Sequence, residues 1–184
     1  MKSLEPITAI YASPLRRAMQ TAGAITAAIG VPPQPRPGLK EMNLGEAERL
    51  TIPEMEARWP GLMAEWVTGR PDVRLPGGES MRGFYARVLR ALQAVVSRHS
   101  GTRDRVVIVS HIGAINTMFS YLQTGTANSW FQGIGNCSVT HLELSGGPAL
   151  PQVKTRAIVV GDMRHLGKAY EPWAAIEAVT GTAV

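Results

Sequence analysis

The chain has 184 residues, 45% of them hydrophobic and 18% charged, which is enough for one domain with a sizeable core and too apolar for a disordered segment. Nineteen Lys and Arg against 14 Asp and Glu leave a formal charge of +5. The arginines are scattered, with no basic stripe, zinc-ligand spacing or aromatic RNA-binding signature, so nucleic acid is not the expected partner. The single cysteine, Cys137, excludes a disulfide framework and a CxxC metal site. No run reaches ~18 apolar residues, and the start lacks a signal-peptide core, so a cytoplasmic protein with no membrane partner is expected.

In chain order, ITAIYAS (Ile7 to Ser13) predicts a short buried strand, and SPLRRAMQTAGAITAAIG predicts the helix after it. Ser13 is its expected N-cap, Pro14 stands in its first turn and Gly30 closes it. VPPQPRPG reads as a proline-rich connection to an extended piece around Leu39 to Met42. A helical stretch from Thr51 to Gly69 opens on the capping-box pair Thr51 and Glu54 and is broken at Pro60 and Gly61. Phe84, Val88, Leu92 and Val95 then recur at helical spacing. RVVIVS is a continuous apolar run of the kind covered on both faces, and it feeds into the helix HIGAINTMFSYLQTG. SVTHLEL and TRAIVVGD predict two more strands, and YEPWAAIEAV a closing helix. Strands alternating with helices argue an α/β fold with a largely parallel sheet. The chain, residues 1–184, is read as a single domain.

In such sheets ligands sit beyond the carboxyl ends of the strands, where helix N-termini present N–H groups, so the strand-to-helix turns carry the candidates. Arg17 lies one turn into the first helix, His111 follows VVIVS, and Glu79 ends the loop PGGES before a helix. Arginine offers a planar fork for phosphate oxygens, histidine a donor near neutral pH, and glutamate can move a proton. Singly, each has a plainer reading: a solvated arginine, a histidine satisfied by backbone, a carboxylate favouring a helix macrodipole. Together they describe a phosphoryl-transfer site. Arg16, Arg87, His99 and His141 read as surface or packing residues, and Trp59 and Trp66 as core, or as part of a lid.

The stretches SPLRRAMQTA, LKEMNLGEAERLT, PGGES followed by FYARV, and VVIVSHIGAI, in that order and closed by GDMRHL, resemble the histidine phosphatase superfamily, the phosphoglycerate-mutase-like fold. The resemblance implies a three-layer α/β/α architecture and a phosphohistidine mechanism, in which a histidine of an Arg-His-Gly turn attacks phosphorus and water or an alcohol then takes the phosphoryl group. It assigns Arg17 to phosphate binding, Glu79 to proton donation to the leaving oxygen, and His111 to the second pocket histidine. It implies a small phosphorylated substrate or phosphate as ligand, and no cofactor or metal.

No Arg-His-Gly occurs in the sequence. A strand, its turn and a helix need about 30 to 40 residues, and six precede Ile7. The expectation is therefore a chain without its first strand and helix, lacking the nucleophile, nearly inactive and left with two exposed strand edges. A non-catalytic phosphate-binding relative and a phosphoglycerate-type mutase are the alternatives to a phosphatase. Four departures from the family pattern bear on the pocket: Ile112 where glycine is usual, Ala47 and Arg49 in place of the tryptophan and glycine of GEWEG, and Asn116 where a basic residue is common.

Overall fold

In the computed structural model, residues 6–68, 70–101, 103–128 and 134–169 are described. Strand β1 (Ile7–Ala12) runs into helix α1 (Arg16–Ile29), which Gly30 ends in the left-handed conformation at φ 77°. Next come β2 (Pro33–Pro35), the short helices α2 (Ile52–Arg58) and α3 (Leu62–Val67), and the long helix α4 (Met81–His99). Strand β3 (Arg105–Val109) leads into α5 (Ile112–Thr124), and β4 (Val139–Gly146) and β5 (Val153–Asp162) follow. The closing helix expected over YEPWAAIEAV lies outside the described residues.

β2, β1 and β3 form a parallel sheet in that order. Alternation along β1 splits the core between the sheet's two faces. Ala9 and Tyr11 join Phe84, Val88 and Leu92 of α4 and Ala114 and Met118 of α5, whereas Ile10 and Ala12 meet Ala18 and Ala22 of α1. Helices therefore cover both faces, as a three-layer α/β/α arrangement requires. β4 and β5 pair antiparallel in a second, two-stranded sheet.

Two sequence expectations shift. The extended piece falls at Pro33–Pro35, inside the presumed connection, and Pro37–Leu39 is a 3-10 turn. Prolines tolerate this because the Arg36 N–H donates to Ala12 O (2.8 Å), so by alternation Pro33 and Pro35, which have no N–H, face away from β1. Helix α1 starts at Arg16 with Leu15 as its N-cap, so Ser13 does not cap it. The Thr51–Glu54 capping box is present, with Thr51 N–H on Glu54 Oε2 at 2.7 Å. Trp59 and Trp66 pack in a satellite cluster with Met55, Met63 and Leu75. His99 is a packing residue: its ring joins the Tyr11 hydroxyl (3.0 Å) to Asp104 (2.7 Å) and ties the end of α4 to β1. Among the described residues no helix is long and apolar enough to cross a membrane.

Candidate active site

β1 and β3 lie side by side, so their carboxyl ends bring two turns together. The Ser13 N–H donates to Val109 O (2.9 Å), which fixes the first turn against the second. His111 is the N-cap residue of α5. Its carbonyl accepts the Ile115 N–H, while its ring makes no capping bond and is left for the site.

Both ring nitrogens are engaged. Arg17 Nε donates to Nδ1 at 3.1 Å, and Nε2 lies 2.8 Å from Ser13 Oγ. A guanidinium N–H only donates, so Nδ1 carries no proton. Nε2 then holds the proton and donates it to Ser13, and the ring is neutral. Burial, then the charge of Arg17, then that of Arg87 push the His111 pKa down to about 4. This tautomer also disposes of a serine nucleophile: Ser13 Oγ receives a proton from His111 and cannot be deprotonated by it. Ser13 is fully buried. Sequence reasoning took it for a cap and missed it.

Arg17 spends only its Nε on His111. Among the described residues its two terminal nitrogens have no protein partner, and the side chain is exposed. A forked donor thus stands at the start of α1, beside the first turn of α5.

Glu79 is not in the Arg17–His111 contact. Its Oε1 accepts the Asn43 N–H (2.8 Å), and both oxygens accept from Arg87, Nη2 to Oε1 at 2.5 Å and Nε to Oε2 at 2.9 Å. Arg87, read from sequence as surface or packing, is instead a mostly buried partner of the candidate acid, with its side chain 22% exposed. Glu41, which sequence reasoning also passed over, places one carboxylate oxygen on the Met42 N–H (2.9 Å) and the other on the Gly113 N–H of α5 (3.0 Å). A Cβ on Gly113 would stand 2.6 Å from that carboxylate, which would have to shift to make room.

The departures from the family pattern have local outcomes. Arg49 keeps a left-handed backbone (φ 74°) where the pattern has glycine, Ile112 is exposed at the start of α5, and Asn116 is buried. Among the described residues no group of three or more His, Cys, Asp or Glu is gathered as a metal site.

Residues 1–155 match the histidine phosphatase superfamily (branch 1). The chain belongs to that superfamily. Phosphoglycerate mutase-like protein 4 of Arabidopsis thaliana is 31% identical over 164 residues, covering 88% of this chain and 67% of the relative. Phosphoserine phosphatase 1 of Hydrogenobacter thermophilus is 31% identical over 144 residues, 77% of this chain and 67% of its own length. A mycobacterial glucosyl-3-phosphoglycerate phosphatase, solved in complex with inorganic phosphate, superposes with a TM-score of 0.70 at 29% identity, covering 86% of this chain and 78% of the other. Its sequence relatives thus include proteins named as phosphoglycerate mutases and as phosphatases, and its structural neighbours include phosphatases.

Proposed function

We propose that the chain forms the phosphate pocket of a phosphomonoester phosphatase that works through a phosphohistidine intermediate. The observation that carries this reading is the Arg17–His111–Ser13 contact at two adjoining helix N-termini, with the terminal nitrogens of Arg17 open. Arg17 grips the phosphoryl oxygens. His111 lines the pocket, and a dianion that draws Arg17 off Nδ1 frees that nitrogen to take a proton and donate to phosphate. These cationic groups supply the charge neutralisation that the chemistry needs. A relative named phosphoserine phosphatase and a phosphatase neighbour solved with phosphate support the hydrolase reading, and relatives named phosphoglycerate mutase keep a mutase as the second reading.

In the full reaction a histidine nitrogen bonds to phosphorus as the bond to the leaving oxygen breaks, and Glu79 gives that oxygen its proton. Water then attacks phosphorus, the P–N bond breaks, and Glu79 recovers a proton from the water. The sequence holds no Arg-His-Gly to provide the nucleophile. We therefore propose that turnover by these 184 residues alone is negligible. In support, β3 is paired only with β1 among the described residues. Among the described residues no strand adjoins its other edge beside the His111 turn, where an added strand would deliver a side chain to the pocket.

The test has two arms. Phosphate or vanadate affinity of the chain should fall about tenfold or more in Arg17→Ala, and unchanged affinity removes Arg17 from the pocket. Hydrolysis of an aryl phosphate should appear when the chain is extended by an N-terminal strand ending in Arg-His-Gly. Equal, substantial activity without the extension would refute the assignment of the nucleophile.

A further inference from the structure

Arg87 uses every N–H it has. Nε and one Nη2 proton hold the two oxygens of Glu79, Nη1 donates to the carbonyls of Gly38 (3.1 Å) and Lys40 (2.7 Å), and the second Nη2 proton goes to the carbonyl of Glu41 (2.8 Å). Five donors meet five acceptors, so no N–H remains for a phosphate. The turn bearing those carbonyls is pressed onto α4: a Cβ on Gly38 would lie 2.8 Å from Ala91 Cβ and 2.9 Å from Arg87 O. The same turn is held from β3 by Ser110 Oγ on Leu39 O (2.7 Å).

We infer that Arg87 is a positioning residue that joins Glu79 to the His111 helix through the turn of residues 38–43. The connections are continuous. Arg87 orients Glu79 and fixes the Glu41 backbone, and the Glu41 side chain seats on Gly113, two residues beyond His111. The Asn43 N–H closes the circuit on Glu79. The grip also decides where Glu79 carries a proton. Oε1 accepts two bonds and Oε2 one, so of the four lone-pair sites of the carboxylate only one on Oε2 is open. A planar fork is needed for this arrangement, and a lysine ammonium with three donors cannot reproduce it.

The role in catalysis rests on the reading of Glu79 and His111 as parts of a phosphatase pocket, whereas the coupling itself can be measured without activity. In Arg87→Lys, amide hydrogen exchange at Asn43 and at Gly113 should speed up by about tenfold or more, while the β1 and β3 sheet amides keep their protection. Faster exchange at Asn43 with none at Gly113 would overturn the inference, because Arg87 would then serve Glu79 alone. Should Arg87→Lys not fold, Glu79→Gln serves instead: it changes no residue of the turn or of α5 yet should also deprotect Gly113, and no change there would overturn the coupling. Affinity for inorganic phosphate, measured on the same proteins, should weaken in Arg87→Lys. Absence of phosphate binding by the unsubstituted chain would sink the phosphatase reading, while the Gly113 result would still decide the coupling.

Discussion

Strand β1 and the β4–β5 hairpin are built from similar apolar sequence and meet opposite fates. β1 is paired on both edges and covered on both faces, and Ala9, Ile10, Tyr11 and Ala12 are all buried. In the hairpin, Val139 is 54% exposed, and Leu144, Ile158 and Val160 are exposed as well. β3 lies between these cases: among the described residues its run RVVIV has one strand partner, and it is only half-buried until Val109. An apolar run of this kind is buried by its number of neighbours, a property that its own residues do not carry. The hairpin is fastened at its turn, where Gln93 of α4 donates to Pro148 O and accepts the Leu150 N–H (2.7 and 2.8 Å).

The comparison breaks first if the parallel layer tolerates truncation. Phe84 is fully buried among β1, α4 and α5 residues and stacks under the Arg87 guanidinium at 4.9 Å. Phe84→Ala should cost about 3–5 kcal/mol, transfer and cavity together. Denaturant unfolding measures it, and a loss of under about 1 kcal/mol would mean that this core is already loose.

The second prediction uses the histidines of the two regions. His111 is buried at the mouth of the parallel layer, whereas His141 stands exposed on β4. The folded His111 pKa, about 4, lies below the usual 6.5. Between those values the unfolded chain binds the proton and the folded chain does not, so stability rises with pH across the window. The contribution is fully present above pH 6.5 and is lost as pH falls to 4, by roughly 3 kcal/mol. His111→Gln should flatten the stability profile between pH 4 and 6.5 relative to the unsubstituted chain, and His141→Gln should leave it in place. Parallel profiles for all three proteins would refute the neutral, buried imidazole.

What the sequence disclosed follows the same division. The helices and strands of the parallel layer were legible because their periodicity reports which face is covered: Phe84, Val88, Leu92 and Val95 mark the buried side of α4. Arg17 and His111 were legible because strand-to-helix turns are where an α/β sheet presents ligand groups, and the structure brings them within 3.1 Å. Ser13 was not. Serine before proline at a strand end has the composition of a cap, and only the neighbouring β3 turn shows that its hydroxyl faces a histidine. Arg87 was hidden for a similar reason. It sits beside the apolar stripe of α4 like any solvated arginine, and the carbonyls it holds come from a turn more than 40 residues earlier. Gly38 carried the one available signal, a glycine among prolines where the backbone approaches α4 closely. β2 was missed because prolines argue against a strand until the direction of its pairing is known.

The smallest expected effect sharpens the contrast most. Ile158 lies on β5 at 38% exposure, at the register shift between the Leu142–Ala157 and His141–Val159 pairs. Close by on the same strand, the exposed Arg156 pairs with Glu143 across the hairpin. Threonine keeps the β-branch that a strand favours, and Ile158 is among the exposed apolar residues, so Ile158→Thr should change stability by no more than about 1 kcal/mol. Its melting temperature in the 184-residue chain is the check. A loss above about 1.5 kcal/mol would show that this part of β5 is covered in solution, since only burial gives a side chain of this size a transfer energy that large. The hairpin would then belong with the parallel layer, and the two strands would differ in burial no more than they do in sequence.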